Sequence, residues 1–333
     1  MVRLPEARDR AFVGRRGELD RLHHTLGPGG RDHLMVQVVN GLGGVGKSAL
    51  ALEYARKHRE AYQPVLWIPA ETPMSITTAL AALADDLHPL LRQADASLAE
   101  RANWAKGWLQ CHTGWLLILD NAGDPSDLDG LLGPLDSGHV LITTRHAGGW
   151  DRLAGRLALD VLPEDAAVEL LGALVEGETQ AGDLSGLAAE LGCLPLALEQ
   201  AAAYLNQVQI DVDRYLSMLR EAPGEAFATT ARRGEHERTI ARVWQHTLRA
   251  MNQENPHATH LLRVLAWFAP DNLPRTLLAP IREDTSKPSR HWLRRMLGWT
   301  LPYARRRLVQ RIDWVRRALT PDVGHTRHWI LRI

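Results

Sequence analysis

Apolar residues follow two rhythms along this chain. Up to about residue 160, short and nearly continuous apolar runs alternate with stretches whose apolar positions recur at helical spacing. The short runs are His33–Asn40 (HLMVQVVN), Pro64–Ala70 (PVLWIPA), Trp115–Asp120 (WLLILD) and His139–Arg145 (HVLITTR), and Arg156–Leu162 continues the series. Runs without polar alternation suit strands covered on both faces. Between them, Ser48–His58 and Thr77–Leu91 read as helices. Strands separated by helices predict βαβ units and a parallel sheet.

Beyond Leu162 the helical rhythm takes over. Pro163 can start a helix, with Glu164 and Asp165 in its first turn, where the helix dipole favours acids. Ala166–Leu174 continues that helix. Gly186–Gln207 is rich in alanine and leucine, and Pro195 breaks it or divides it into two helices. Residues 221–235 (EAPGEAFATTARRGE) are small and polar and read as a linker. Arg238–Met251 and His257–Phe268 read as two further helices, followed by the turn-rich Ala269–Pro274. The expected organisation is an α/β domain over 10–160, an all-helical module over 161–222, a small winged-helix-like domain over 236–289 and a tail over 290–333. The tail holds 11 arginines, four tryptophans and only two acids, Asp313 and Asp322. No repeat of solenoid length is present.

Composition narrows the picture without deciding it. Hydrophobic residues make up 45% and charged residues 23%, and the formal net charge is zero. That balance suits a soluble globular chain and gives no global argument for nucleic acid or membrane. Of 39 basic residues only four are lysines, Lys47, Lys57, Lys106 and Lys287, which makes a lysine inside a glycine loop stand out. Two cysteines, Cys111 and Cys193, suggest no disulfide framework and fit a reducing, cytoplasmic setting. Met1–Arg16 carries charges of both signs and no apolar run, unlike a signal peptide, and no stretch is long and apolar enough to span a membrane. The histidines lack metal-ligand spacing, and there is no nucleophile elbow.

The chemistry concentrates after the first strand. Gly41-Leu-Gly-Gly-Val-Gly-Lys-Ser48 fits the phosphate-loop pattern G-x-x-x-x-G-K-[ST]. Phosphate oxygens carry dense negative charge, and small residues let the backbone curl around them with its N–H groups inward. The helix that follows turns its positive dipole end to the same place. Gly41, Gly43, Gly44, Val45, Gly46, Lys47, Ser48 and Ala49 are the expected binding residues. Lys47 is expected at the β- and γ-phosphates, and the Ser48 hydroxyl on Mg²⁺. Leu116–Asp120 is an apolar strand ending in an acid, and Asp120 is the expected second Mg²⁺ residue. Next stands Asn121, whose amide cannot accept a proton. Slow hydrolysis is expected unless Asp124 or another acid substitutes.

Set in order, these motifs resemble the NB-ARC family of STAND-class signalling ATPases, over roughly residues 10–275. Phe12-Val13-Gly14-Arg15 is similar to the family's segment ahead of the phosphate loop, which implies that Val13, Gly14 and Arg15 lie at the adenine. Leu141-Ile-Thr-Thr-Arg145 is similar to the strand whose arginine senses the γ-phosphate. Gly192-Cys-Leu-Pro195-Leu-Ala-Leu198 is similar to the G-L-P-L-A motif, which places Pro195 near the nucleotide. Trp244 and Leu261–Pro274 resemble the winged-helix entry of a bacterial, repeat-associated branch. That branch closes its ADP state with a histidine preceding R-L-V-Q. Here Arg306 precedes Arg307-Leu-Val-Gln310, and no repeats follow, as in a truncated or degenerate member.

The resemblance implies a parallel-sheet P-loop NTPase domain followed by a helical module and a winged helix. Its nucleotide is ADP or ATP with Mg²⁺, and Lys47, Asp120 and Arg145 carry the slow chemistry. The implied function is a regulatory switch in signalling, transcription control or defence, with self-association or an effector protein in the ATP state. Two other functions share parts of this pattern. A ring-forming motor ATPase needs a catalytic acid where Asn121 stands. A DNA-binding regulator would set the winged helix in a groove, and nucleic acid is the less favoured partner.

Overall fold

A computed structural model of the chain describes residues 2–5, 12–27, 33–93, 96–152, 155–177, 181–221, 235–254 and 261–262. The first part runs β1 (Val2–Arg3), α1 (Arg16–Leu26), β2 (Leu34–Gly41), α2 (Lys47–Lys57), β3 (Val65–Pro69), α3 (Pro73–Leu87), α4 (Leu90–Gln93), α5 (Leu98–Cys111), β4 (Leu116–Ala122), α6 (Asp129–Leu132), β5 (Gly138–Thr144) and β6 (Gly155–Leu159). The strands form one parallel sheet in the order β1-β3-β4-β5-β2-β6. Every strand therefore ends at the same rim, and β5 separates the strand that enters the phosphate loop from the strand that carries Asp120.

The central strands are mostly apolar because neither face meets water. Val38, Leu66, Leu117, Leu119, Val140 and Ile142 share one buried cluster with Ile76 and Leu80 of α3 and Ala105 and Leu109 of α5. Alternation turns Val39, Ile118 and Leu141 to the opposite face, where α1 packs on β2 and α2 on β4 and β5. Trp115 closes the lower end of the first cluster. Its indole N–H donates to the carbonyls of Leu109 at 3.1 Å and His112 at 2.9 Å. The ring lies against Gly138, where an added Cβ would come within 2.3 Å of it.

Several boundaries differ from those the rhythm predicts. The helix expected over Thr77–Leu91 begins four residues earlier. Thr72 and Ser75 form a reciprocal cap, with Pro73 at the first helical position. It stops at Leu87 because His88 precedes Pro89 and is pushed out of the helical region, to φ −140 and ψ 80. A Ser97–Glu100 capping box starts α5, which the apolar pattern alone does not reveal. The strand expected over Arg156–Leu162 ends at Leu159.

Four helices follow the sheet: α7 (Glu164–Leu174), α8 (Ala181–Glu190), α9 (Pro195–Val208) and α10 (Val212–Glu221). The break at Pro195 is a true division, with Pro195 at the first position of α9. Helix α11 (Glu235–Glu254) contains the expected Arg238–Met251. The chain divides into compact units at Met1–Val243 and Trp244–Ile333, and α11 begins in the first and ends in the second. The Arg/Trp-rich tail, the Arg306–Gln310 segment, most of the linker, nearly all of the helix expected over His257–Phe268 and the rest of the expected winged helix beyond residue 262 lie outside the described residues. No helix among the described residues is long and apolar enough to cross a membrane.

Candidate functional site

The site is assembled at the rim where the strands end. Gly41 closes β2 opposite Leu159 of β6. A Cβ there would stand 2.3 Å from the Leu159 carbonyl oxygen, so only glycine lets these strands approach. Gly44 and Gly46 adopt φ of 82 and 96, the left-handed region that glycine enters without strain, and this turns the loop back toward α2. Around Gly46 an added Cβ would meet nothing within 4 Å, so its demand is conformational and not steric. Val45 is fully buried and pins the loop to the core, whereas Ala49 lies exposed on the first turn of α2.

Lys47 is buried, and its ammonium donates to the carbonyls of Gly41 at 2.9 Å and Leu42 at 2.7 Å. Burial, then the Arg145 guanidinium, pushes its pKa down to about 8, with Asp120 pulling the other way. The lysine's charge is thus held in check by its surroundings, and an anion at the loop would favour it.

Ser48 and Asp120 meet at the end of the loop. The Ser48 hydroxyl donates to Asp120 Oδ1 at 2.6 Å, and the Thr143 hydroxyl donates to the same oxygen at 2.6 Å. A hydroxyl and a carboxylate this close form a hard oxygen pair suited to Mg²⁺. Past Leu119 the register between β4 and β5 shifts, and Asn121 takes φ 58. Its N–H donates to Thr143 Oγ1 at 2.8 Å, while its side-chain amide donates to Glu71 Oε1, just beyond β3. Ala70 N–H donates to the Asp120 carbonyl at 2.7 Å and fixes the end of β3 beside the acid.

Arg145 is exposed just past β5 and reaches over the loop. A Cβ added to Gly43 would lie 3.8 Å from its guanidinium carbon. Pro195 is half-buried, and the residue after it, Leu196, donates its N–H to the Gly44 carbonyl at 3.2 Å. That N–H is among the donors a helix start leaves without an intrahelical partner. Here it finds one in the phosphate loop, so α9 abuts the loop directly.

Val13 is half-buried. Gly14, at φ 70, faces α7 so closely that an added Cβ would meet Ala166 Cβ at 2.3 Å. Arg15 is buried and does structural work. Its guanidinium bonds Glu18 at 3.1 Å, the Val45 carbonyl at 3.3 Å and the Asp160 carbonyl. The structure thus brings Gly41–Ser48, Asp120, Arg145 and Leu196 together. Glu71, Thr143 and the Leu196 N–H are functional candidates that sequence reasoning missed. Thr143 sat within a motif already noticed, whereas Glu71 had no signal, because it depends on the β3–β4 register.

Among protein families, the AAA ATPase domain matches residues 11–286. A nucleotide-binding leucine-rich repeat (NLR)-like protein of Hyaloscypha variabilis is 27% identical over 314 residues, covering 83% of this chain and 31% of that protein. The chain therefore spans about a third of that relative's length. A solved STAND protein with a tetratricopeptide repeat sensor from Pyrococcus horikoshii is similar at 18% identity and TM-score 0.39, over 70% of this chain and 40% of that one. A Walker-type ATPase of Pyrococcus abyssi is similar at 14% identity and TM-score 0.41, over 79% of this chain and 82% of that one.

Proposed function

The chain belongs to the AAA ATPase domain family, and from that premise we propose that it is a STAND-class P-loop NTPase, a slow ATPase whose bound nucleotide sets a conformational state. The observation that carries this reading is the hydrogen bond from Leu196 to the Gly44 carbonyl. It ties the loop that would hold the phosphates to the start of a helix outside the sheet. A change in loop conformation is then felt by α9, and a ligand shifts the balance only as far as its affinity for the two states differs.

ADP or ATP would lie along Gly41–Ala49, with Lys47 and the inward amides on the phosphates and Val13–Arg15 toward the base. Arg145, beside Gly43, would distinguish a γ-phosphate from its absence. Pro195 starts the helix that responds. Ser48 and Asp120 are the pair that would hold Mg²⁺, which neutralises phosphate charge when bound. Asn121 cannot itself accept a proton from water, and slow turnover is the property a switch needs. The ATP state would expose surfaces for self-association or an effector protein in signalling, transcription control or defence.

Identifying the nucleotide that co-purifies, together with steady-state turnover, tests this. ADP retained by the wild type, lost in Lys47→Ala, and turnover well below one per second are expected. Rapid steady-state hydrolysis would refute the switch.

A further inference from the structure

We propose that Glu71 is the water-activating carboxylate of this site and that Asn121 holds it there, an inference that rests on the nucleotide reading above. The position after Asp120 is an amide and cannot take a proton from water. The backbone turns that amide to a purpose. The register shift after Leu119 and the left-handed conformation of Asn121 re-aim its side chain toward β3, as bulges beside functional sites do. Its N–H is anchored on Thr143 Oγ1 at 2.8 Å, the same hydroxyl that donates to Asp120. Its side-chain amide then donates to Glu71 Oε1.

Glu71 is placed by its own strand as well. Pro69 pairs with Asp120 across β3 and β4, and Ala70 N–H bonds the Asp120 carbonyl at 2.7 Å. The carboxylate missing from β4 is thus supplied one strand away, beside the expected Mg²⁺ residue. Glu71 is exposed, and a carboxylate offers about four acceptor sites. The Asn121 amide occupies one of them and leaves the rest for water.

In the step this arrangement supports, a water oxygen bonds to the γ-phosphorus of ATP. The bond from that phosphorus to the β–γ bridging oxygen breaks, and ADP leaves with the electron pair. The water's proton passes to Glu71 and from there to solvent.

The full chain tests this with Glu71→Gln, Glu71→Asp and Asn121→Ala. Glu71→Gln is expected to lower kcat by about a hundredfold or more with KM unchanged. ADP affinity by calorimetry stays at the wild-type value, but tight binding of ADP with aluminium fluoride, a mimic of the transferring phosphoryl group, is lost. Glu71→Asp regains part of both. Asn121→Ala lowers kcat at least about tenfold by releasing the carboxylate, and it answers the question if Glu71→Gln fails to fold. Wild-type kcat in Glu71→Gln or Asn121→Ala overturns the assignment. So does loss of ADP affinity in parallel with kcat, or a wild-type turnover too slow to measure. Failure of the folded wild type to bind ADP at all is a different result, and it overturns the nucleotide reading itself.

Discussion

Nucleotide binding should take up protons above neutral pH, and Lys47 sets how many. Burial, then Arg145, holds its pKa at about 8 against an ordinary 10.5, with Asp120 opposing. A polyphosphate at the loop favours the charged ammonium, so binding restores whatever proton the free protein has lost. That fraction is about 0.1 at pH 7, about 0.5 at pH 8 and about 0.9 at pH 9. Above pH 8 the affinity should fall by up to about tenfold per pH unit, or ~1.4 kcal/mol. A terminal phosphate ionises near pH 6, so from pH 8 upward it adds little of its own. Calorimetry of ADP binding in two buffers of different ionisation enthalpy reads the uptake directly. Lys47→Arg, which keeps its proton, should abolish it. Arg145→Gln should move it to higher pH by removing a neighbouring cation. The same shift acts on the free fold. Between about 8 and 10.5 the unfolded chain binds more protons than the folded one, so stability rises with pH across that window and the penalty is complete below it. No uptake by the wild type at pH 9, or equal uptake by Lys47→Arg, would refute the reasoning.

Three further outcomes follow from contacts already described. Gly41→Ala forces a Cβ to within 2.3 Å of the Leu159 carbonyl and should cost about 1–3 kcal/mol in urea denaturation even without nucleotide. Asp120→Asn keeps an acceptor for Ser48 and Thr143 but loses the charge. It should leave metal-free ADP affinity near wild type and remove the gain in affinity on adding Mg²⁺, read by calorimetry with and without chelator. Trp115→Ala empties a fully buried site and leaves the Leu109 and His112 carbonyls without their indole donor, for a loss of about 3–5 kcal/mol by the same denaturation assay.

The sheet strands were legible because their apolar runs are unbroken, and the phosphate loop because its glycines and lysine stand at fixed spacing. Ser48 and Asp120 are named in the sequence as a Mg²⁺ pair by a chemistry that would need two hard oxygens, and the fold brings them to hydrogen-bonding distance. What escaped depends on register or on caps. The helix α5 carries small and polar residues among its apolar ones, and its Ser97–Glu100 box is a local signal that periodicity does not weigh. Two residues at β1 complete the sheet beside β3, too short a segment to show any rhythm. Glu71 comes beside Asn121 only because β3 and β4 pair Pro69 with Asp120, and nothing in either segment announces that match. The backbone of Val13–Arg15 is the expected contact for the adenine, and the Arg15 guanidinium is spent on Glu18 and on the carbonyls of Val45 and Asp160.

The two outer glycines of the phosphate loop are required for different reasons. Gly46 is glycine because of the turn it makes, in open space, whereas Gly41 is glycine because a neighbouring strand leaves no room for a methyl group. In a descendant that had abandoned nucleotides, selection on Gly46 would relax first. Gly41 would persist as long as the β2–β6 seam did, a relic of architecture that outlives the ligand.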